Sequence, residues 1–124
     1  NIKIYYYLCV MKLFVYGTLK SGFCNNHYLQ DSHLLESNVR LDGFTMYICG
    51  KIPFVVLEDD DNGFIIGEIW DIDSETEQTL DILEGVVSGV YTKYYTEDML
   101  IYIAPDKKIN SIKKMKNIIS GIFL

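Results

Sequence analysis

Four apolar residues, Leu13, Phe14, Val15 and Tyr16, follow one another and stop abruptly at Gly17-Thr18. A short β-prone run ended by glycine predicts a buried strand over 13–16 entering a tight loop. Gly17 leaves the main chain open to close approach, and successive N–H groups in such a loop can form a small anion-binding nest. An ordinary strand-to-loop turn has the same pattern. The loop is expected to run on to residue 35, with a short helix over about 26–35. Strands over 39–41 and 44–48 flank Asp42-Gly43, a hairpin turn signal. Pro53 has no N–H for a central ladder and marks an edge or bend. Strands over 54–57 and 64–70 flank 58–63, read as an acidic hairpin loop whose charges are expected to be solvated.

The period then changes. Ser74-Glu75-Thr76-Glu77 reads as a capping box and predicts a helix over 75–84, stopped by Gly85. Thr76, Leu80 and Leu83 share one face of it, Glu84 lies at the edge of that face, and Asp81 points further away. Strands over 90–95 and 99–103 read as a tight hairpin around Glu97-Asp98, ended by Pro105. Ile112, Met115 and Ile119 are placed to line a short C-terminal helix. The order implies a small α+β domain with antiparallel or mixed pairing. Its strongly curved sheet is expected to form a partly closed barrel.

Length and composition narrow the classes. A chain of 124 residues with 49% apolar and 14% aromatic content suits one domain with a real core. A net charge of −6 argues against non-specific nucleic-acid binding. Lys107, Lys108, Lys113, Lys114 and Lys116 are a local exception, read as a solvated helix face. Cys9, Cys24 and Cys49 cannot all pair and carry no zinc-ligand spacing, so a reduced, cytoplasmic setting is expected. Residues 1–10 are apolar and tyrosine-rich, too short for a membrane span, and lack a cleavage site. The domain is expected to occupy 11–124, with Met11 as its start and 1–10 as an upstream extension. The alternative is an additional edge strand.

Candidate chemistry is sparse. Gly17 and Gly22 have the spacing of a phosphate-binding loop, but Phe23-Cys24 stands where Lys and Ser or Thr are needed. Asp59, Asp60 and Asp61 lack calcium-loop spacing. His27 and His33 are the only histidines and either could act as acid or base. Cys24 with His27 could suggest a thiol nucleophile, without an orienting third group. Glu84 is placed in the last turn of a helix, beside apolar Leu80. The helix dipole and an apolar neighbour both push a carboxyl pKa upward, toward the range of a general base. A solvated glutamate before a capping glycine fits the same residues.

Phe14-Val15-Tyr16-Gly17-Thr18-Leu19-Lys20 with Gly22, Asn25 and Leu29 resembles the opening signature of the gamma-glutamylcyclotransferase-like superfamily, small bacterial and gamma-glutamylamine cyclotransferase type. Leu80-Asp81-Ile82-Leu83-Glu84-Gly85, followed by Tyr91 and Lys93, is similar to its second signature. Gly43-Phe44, Tyr47, Gly50, Pro53, Gly67-Glu68-Ile69-Trp70, Asp73 and Ser120-Gly121 with Phe123 fit the stretches between and after.

The resemblance implies the family's mixed barrel with flanking helices. It also implies a reaction in which a γ-glutamyl amine attacks its own γ-carbonyl, leaving 5-oxoproline. Backbone groups of Tyr16, Gly17, Thr18 and Leu19 would hold the glutamyl end. Glu84 would move protons, and Tyr91 would supply a pocket hydroxyl. No metal or cofactor is implied, since ring closure is already unimolecular. The implied partner is a small γ-glutamyl compound, with neither nucleic acid nor membrane. Oligomeric state is left open. Lys93 stands where arginine is usual and the 90–103 hairpin is short, which leaves the substrate open. A non-catalytic binding module on the same fold is the alternative.

Overall fold

The strand expected over 13–16 is β1 (Met11–Val15), which starts two residues earlier, ends before Tyr16 and lies at the middle of the larger sheet. In this computed structural model, which describes residues 11–58, 63–96, 98–115, 118–119 and 121–124, β1 has a strand on either side. It pairs antiparallel with β5 (Phe64–Ile72) and parallel with β7 (Met99–Ile103). β2 (His33–Asp42) flanks β5, and β6 (Thr92–Tyr95) flanks β7, giving the order β2-β5-β1-β7-β6. β3 (Phe44–Cys49) and β4 (Ile52–Leu57) form a separate two-stranded sheet.

The continuous apolar run of β1 follows from burial on both faces. Side chains alternate along a strand, so Leu13 and Val15 enter one core with Trp70, Leu80 and Leu100. Phe14 and Tyr16 enter the other with Phe44, Met46 and Ile101. The two sheets meet where the Ala104 N–H donates to the Val55 carbonyl at 2.9 Å. The fold is mixed α+β, and the described strands close no barrel.

α1 (Ser74–Leu83) starts one residue earlier than expected, because Asp73 rather than Ser74 is its cap. The Asp73 carboxylate accepts the Thr76 N–H at 2.8 Å, which holds its pKa below the usual range. Glu77, expected to close a capping box, instead pairs with Lys93 of β6. At the other end Gly85 has φ +62°, a left-handed conformation that favours glycine. The Val86 N–H reaches the Asp81 carbonyl and the Gly85 N–H the Ile82 carbonyl, a Schellman closure. The chain turns once more, Val90 N–H to Gly85 carbonyl, so β6 begins at Thr92 rather than at 90.

Other expectations change too: the strands flanking Asp42-Gly43 and those flanking 58–63 form no hairpin, since β2 and β5 pair in one sheet and β3 and β4 in the other. The helix over 26–35 is a single 3₁₀ turn, Asn26–Leu29, and residues 33–35 belong to β2. Pairing with β5 overrides local preference there, and the register shifts twice between Leu34 and Val39. α2 (Asp106–Lys114) ends before Ile119 and buries Ile112, while Met115 is exposed. Ile119 instead donates its N–H to the Met46 carbonyl. Lys107, Lys108, Lys113 and Lys114 lie on α2, and Lys113 pairs with Glu58 at 3.6 Å. Residues 1–10, Asp59, Asp60, Asp61, Glu97, Lys116 and Ser120 lie outside the described residues. The readings placed on them go with them. Among the described residues no helix is long and apolar enough to cross a membrane.

Candidate active site

A cavity of about 260 Å³ opens where the end of β1, the start of β4 and the end of α1 converge. Tyr16, Gly17, Thr18 and Leu19 line one wall, Lys51, Ile52 and Pro53 a second, and Leu83 and Glu84 a third. Tyr91 and Tyr102 line it as well.

Gly17 is required here by proximity. A Cβ at this position would lie 2.9 Å from Pro53 Cγ, so only glycine lets the turn pass against β4. The turn is held by its own polar groups. The Lys20 N–H donates to the Gly17 carbonyl at 3.1 Å, and Asn25 Nδ2 donates to Thr18 Oγ1 at 2.9 Å. Asn26 Nδ2 donates to the Leu19 carbonyl at 2.9 Å. Among the described residues no acceptor takes the N–H of Gly17, Thr18 or Leu19. Lys20 turns away from the cavity and donates to the Phe123 carbonyl at 2.7 Å. Burial lowers its pKa, opposed by the Glu68 carboxylate.

Glu84 caps the C-terminus of α1, its N–H bonded to the Leu80 carbonyl at 2.8 Å. Its side chain is half-buried, and burial pushes the carboxyl from the ordinary 4.5 up to about 7. No described residue donates a hydrogen bond to it, which leaves the desolvation uncompensated. The C-terminal end of the helix dipole acts in the same direction. Burial raises the phenols of Tyr16, Tyr91 and Tyr102, the hydrogen bond to Asp81 adds next at Tyr102, and the Glu84 charge adds a smaller push to all three. They stay protonated and donate. Tyr16 bonds the Tyr102 carbonyl, Tyr91 the Pro53 carbonyl, and Tyr102 the Asp81 carboxylate, each at 2.6 Å.

The turn from Tyr16 to Leu19, Glu84 and Tyr91 therefore share one cavity. Tyr91 forms wall rather than free hydroxyl, since its O–H is committed to Pro53 and its ring stacks on Phe54 at 4.7 Å. His27, His33 and Cys24 are exposed and line no part of the cavity. His27 Nδ1 lies 3.0 Å from the Cys24 carbonyl oxygen, so nothing assembles a thiol dyad. Among the described residues no three His, Cys, Asp or Glu side chains cluster as a metal site.

Three residues escaped the sequence reading. Lys51 lines the cavity from the β3–β4 turn. Tyr102 lines it from β7. Asp81, placed away from the apolar face, accepts both Tyr102 Oη and Lys93 Nζ, the latter at 3.1 Å. One signal was available for Asp81. Glu77 and Asp81 are like charges four residues apart, an arrangement that calls for a cation between them, and Lys93 supplies it. Lys93 thus serves the helix and not the cavity wall.

A carboxyl with a near-neutral pKa, opposite main-chain N–H groups that no described acceptor takes, can hold an anionic group and accept a proton from an ammonium beside it. The family described as gamma-glutamyl cyclotransferase, AIG2-like, matches residues 13–113, which include every element around the cavity. YtfP of Escherichia coli, a gamma-glutamylcyclotransferase family protein, is 31% identical over 100 residues, covering 77% of this chain and 85% of that one. A Methanocaldococcus jannaschii protein with a provisional gamma-glutamylcyclotransferase name is 36% identical over 74 residues, or 59% of this chain. The match spans only 60% of that relative's length. The crystal structure of YkqA from Bacillus subtilis superposes with a TM-score of 0.66 at 30% identity, over 87% of this chain and 44% of YkqA.

Proposed function

This chain belongs to the gamma-glutamyl cyclotransferase, AIG2-like family, and on that premise we propose that it cyclises a γ-glutamyl amine or γ-glutamyl amino acid to 5-oxoproline. The observation that carries the reading is the half-buried Glu84 carboxyl, raised to about 7, in the same cavity as the Gly17 turn. The N–H groups of Gly17, Thr18 and Leu19 receive the glutamyl carboxylate. Glu84 takes a proton from the α-ammonium, so that the freed amine attacks the γ-carbonyl. A ring C–N bond forms and the original amide C–N bond breaks; the α-nitrogen gives up two protons in all, one to Glu84 before attack and one as the ring closes, and both end on the departing nitrogen, which leaves as an ammonium. Atoms and charge balance without oxidant, metal or added water. Holding the folded conformer supplies much of the acceleration, because the reaction is intramolecular.

Tyr91 is a wall against which the glutamyl chain folds. The partner in this reading is a small molecule, in a cytoplasmic setting. The finer fold reading, a partly closed barrel, draws support from the Ala104–Val55 bond between the sheets. Incubation of purified protein with a panel of γ-glutamyl amines and γ-glutamyl amino acids, with mass-spectrometric detection of 5-oxoproline, tests the proposal. Release from at least one compound is expected. Stoichiometric binding of the panel without 5-oxoproline would identify a binding module instead.

A further inference from the structure

No hydrogen bond from a described residue tethers the Glu84 carboxylate. Its place in the cavity therefore depends on how α1 is held. Leu80 anchors the helix in the core, but an apolar contact is non-directional and specifies the helix's rotation and axial position loosely. Directional links do that better. Lys93 of β6 reaches Glu77 and Asp81 from the partly exposed side of the helix. Tyr95 Oη adds a long, exposed bond to Glu77 at 3.5 Å, and from the cavity side the link is the short bond of the Tyr102 hydroxyl to the Asp81 carboxylate at 2.6 Å.

Tyr102 is 4% exposed and lines the cavity. Asp81 precedes Glu84 by three residues, so the bond grips the same helical turn that presents Glu84. On its other side, the Tyr102 carbonyl accepts the Tyr16 hydroxyl at 2.6 Å, directly before the Gly17 turn. Tyr102 thus ties the helix that carries the carboxylate to the strand end that carries the N–H donors.

We propose that Tyr102, through its hydroxyl bond to Asp81, is a positioning residue that sets where α1 delivers Glu84 relative to the Gly17 turn. Its catalytic consequence rests on the reading of Glu84 as proton acceptor. The positional statement does not.

Tyr102→Phe tests it, since it removes one hydroxyl and changes no charge. The groups that share the cavity with Glu84 are Tyr16, Tyr91, Tyr102 and Lys51, and all but the substituted phenol remain. The first readout is the titration of the Glu84 carboxyl carbon in ¹³C-glutamate-labelled protein, assigned with Glu84→Gln, and it needs no turnover. Loosening of α1 admits water, so the midpoint should fall from near 7 by about half a pH unit or more. A midpoint that stays or rises overturns the proposal.

The second readout is 5-oxoproline formation by Tyr102→Phe, Asp81→Ala and the double variant. Each single variant should lose about tenfold or more in kcat with KM within about twofold. The double variant should be no worse than the poorer single one, because both remove the same link. Additive losses would mean that Tyr102 acts on the substrate directly and would overturn the positioning role. If wild type forms no 5-oxoproline, the proposed reaction fails while the carbon titration still decides the link.

Discussion

Replacing Glu84 by glutamine should make the protein more stable above neutral pH and leave it nearly unchanged in acid. The carboxyl titrates at the ordinary 4.5 when unfolded and at about 7 when folded, because burial penalises its charge. Between those two values the unfolded chain has released a proton that the native chain still holds. The native state binds more protons there, so stability falls as pH rises through this window. Beyond about 7 the loss is complete. At about 1.4 kcal/mol for each tenfold, the full loss is about 3 kcal/mol, a large share of a small domain's stability. Glutamine is nearly isosteric and never ionises, so it escapes the penalty. Urea denaturation of both proteins at half-unit steps from pH 4.5 to 8.5 should show curves that start together and separate by about 3 kcal/mol. Parallel curves across this range would refute the buried-carboxylate reasoning.

Two further outcomes follow from the cavity walls. Gly17→Val places side-chain atoms where a Cβ alone would already lie 2.9 Å from Pro53 Cγ. KM for a confirmed γ-glutamyl substrate should rise about tenfold or more as the turn is pushed off β4; unchanged KM and kcat would remove the turn from the site. Lys51 is exposed, and apart from Glu84 it is the only charged side chain among the described residues lining the cavity, placed to meet a carboxylate on the departing group. Lys51→Gln should raise KM several-fold for a γ-glutamyl amino acid with a free carboxylate and leave the corresponding carboxamide unchanged; an equal rise for both would place Lys51 at the glutamyl end instead.

Much of the site was legible in the sequence because it depends on short-range rules. The apolar run ending at Gly17 could hardly be anything but a buried strand meeting a turn. Leu80, Glu84 and Gly85 state the end of a helix and what it presents. β2 was largely hidden, since its exposed, bulged edge carries polar residues and its existence depends on β5, more than twenty residues away. Asp73 and Ser74 compete for one cap, and local pattern cannot rank them. The Asp81–Tyr102 bond joins residues 21 apart and is invisible to helical spacing, which considered only the apolar face. Lys51 was passed over for a related reason. A lysine after a glycine reads as a turn residue until the fold brings it to the cavity.

In the proposed reaction Glu84 moves the protons of ring closure. General-base catalysis contributes about 10²–10⁴ in rate, or about 3–5.5 kcal/mol of barrier. Single-turnover formation of 5-oxoproline should be compared between wild type and Glu84→Gln on the best substrate from the panel, at pH 8. Substrate binding should be intact and the rate lower by about 10² or more if Glu84 has this role. A variant that retains most of the wild-type rate would contradict it.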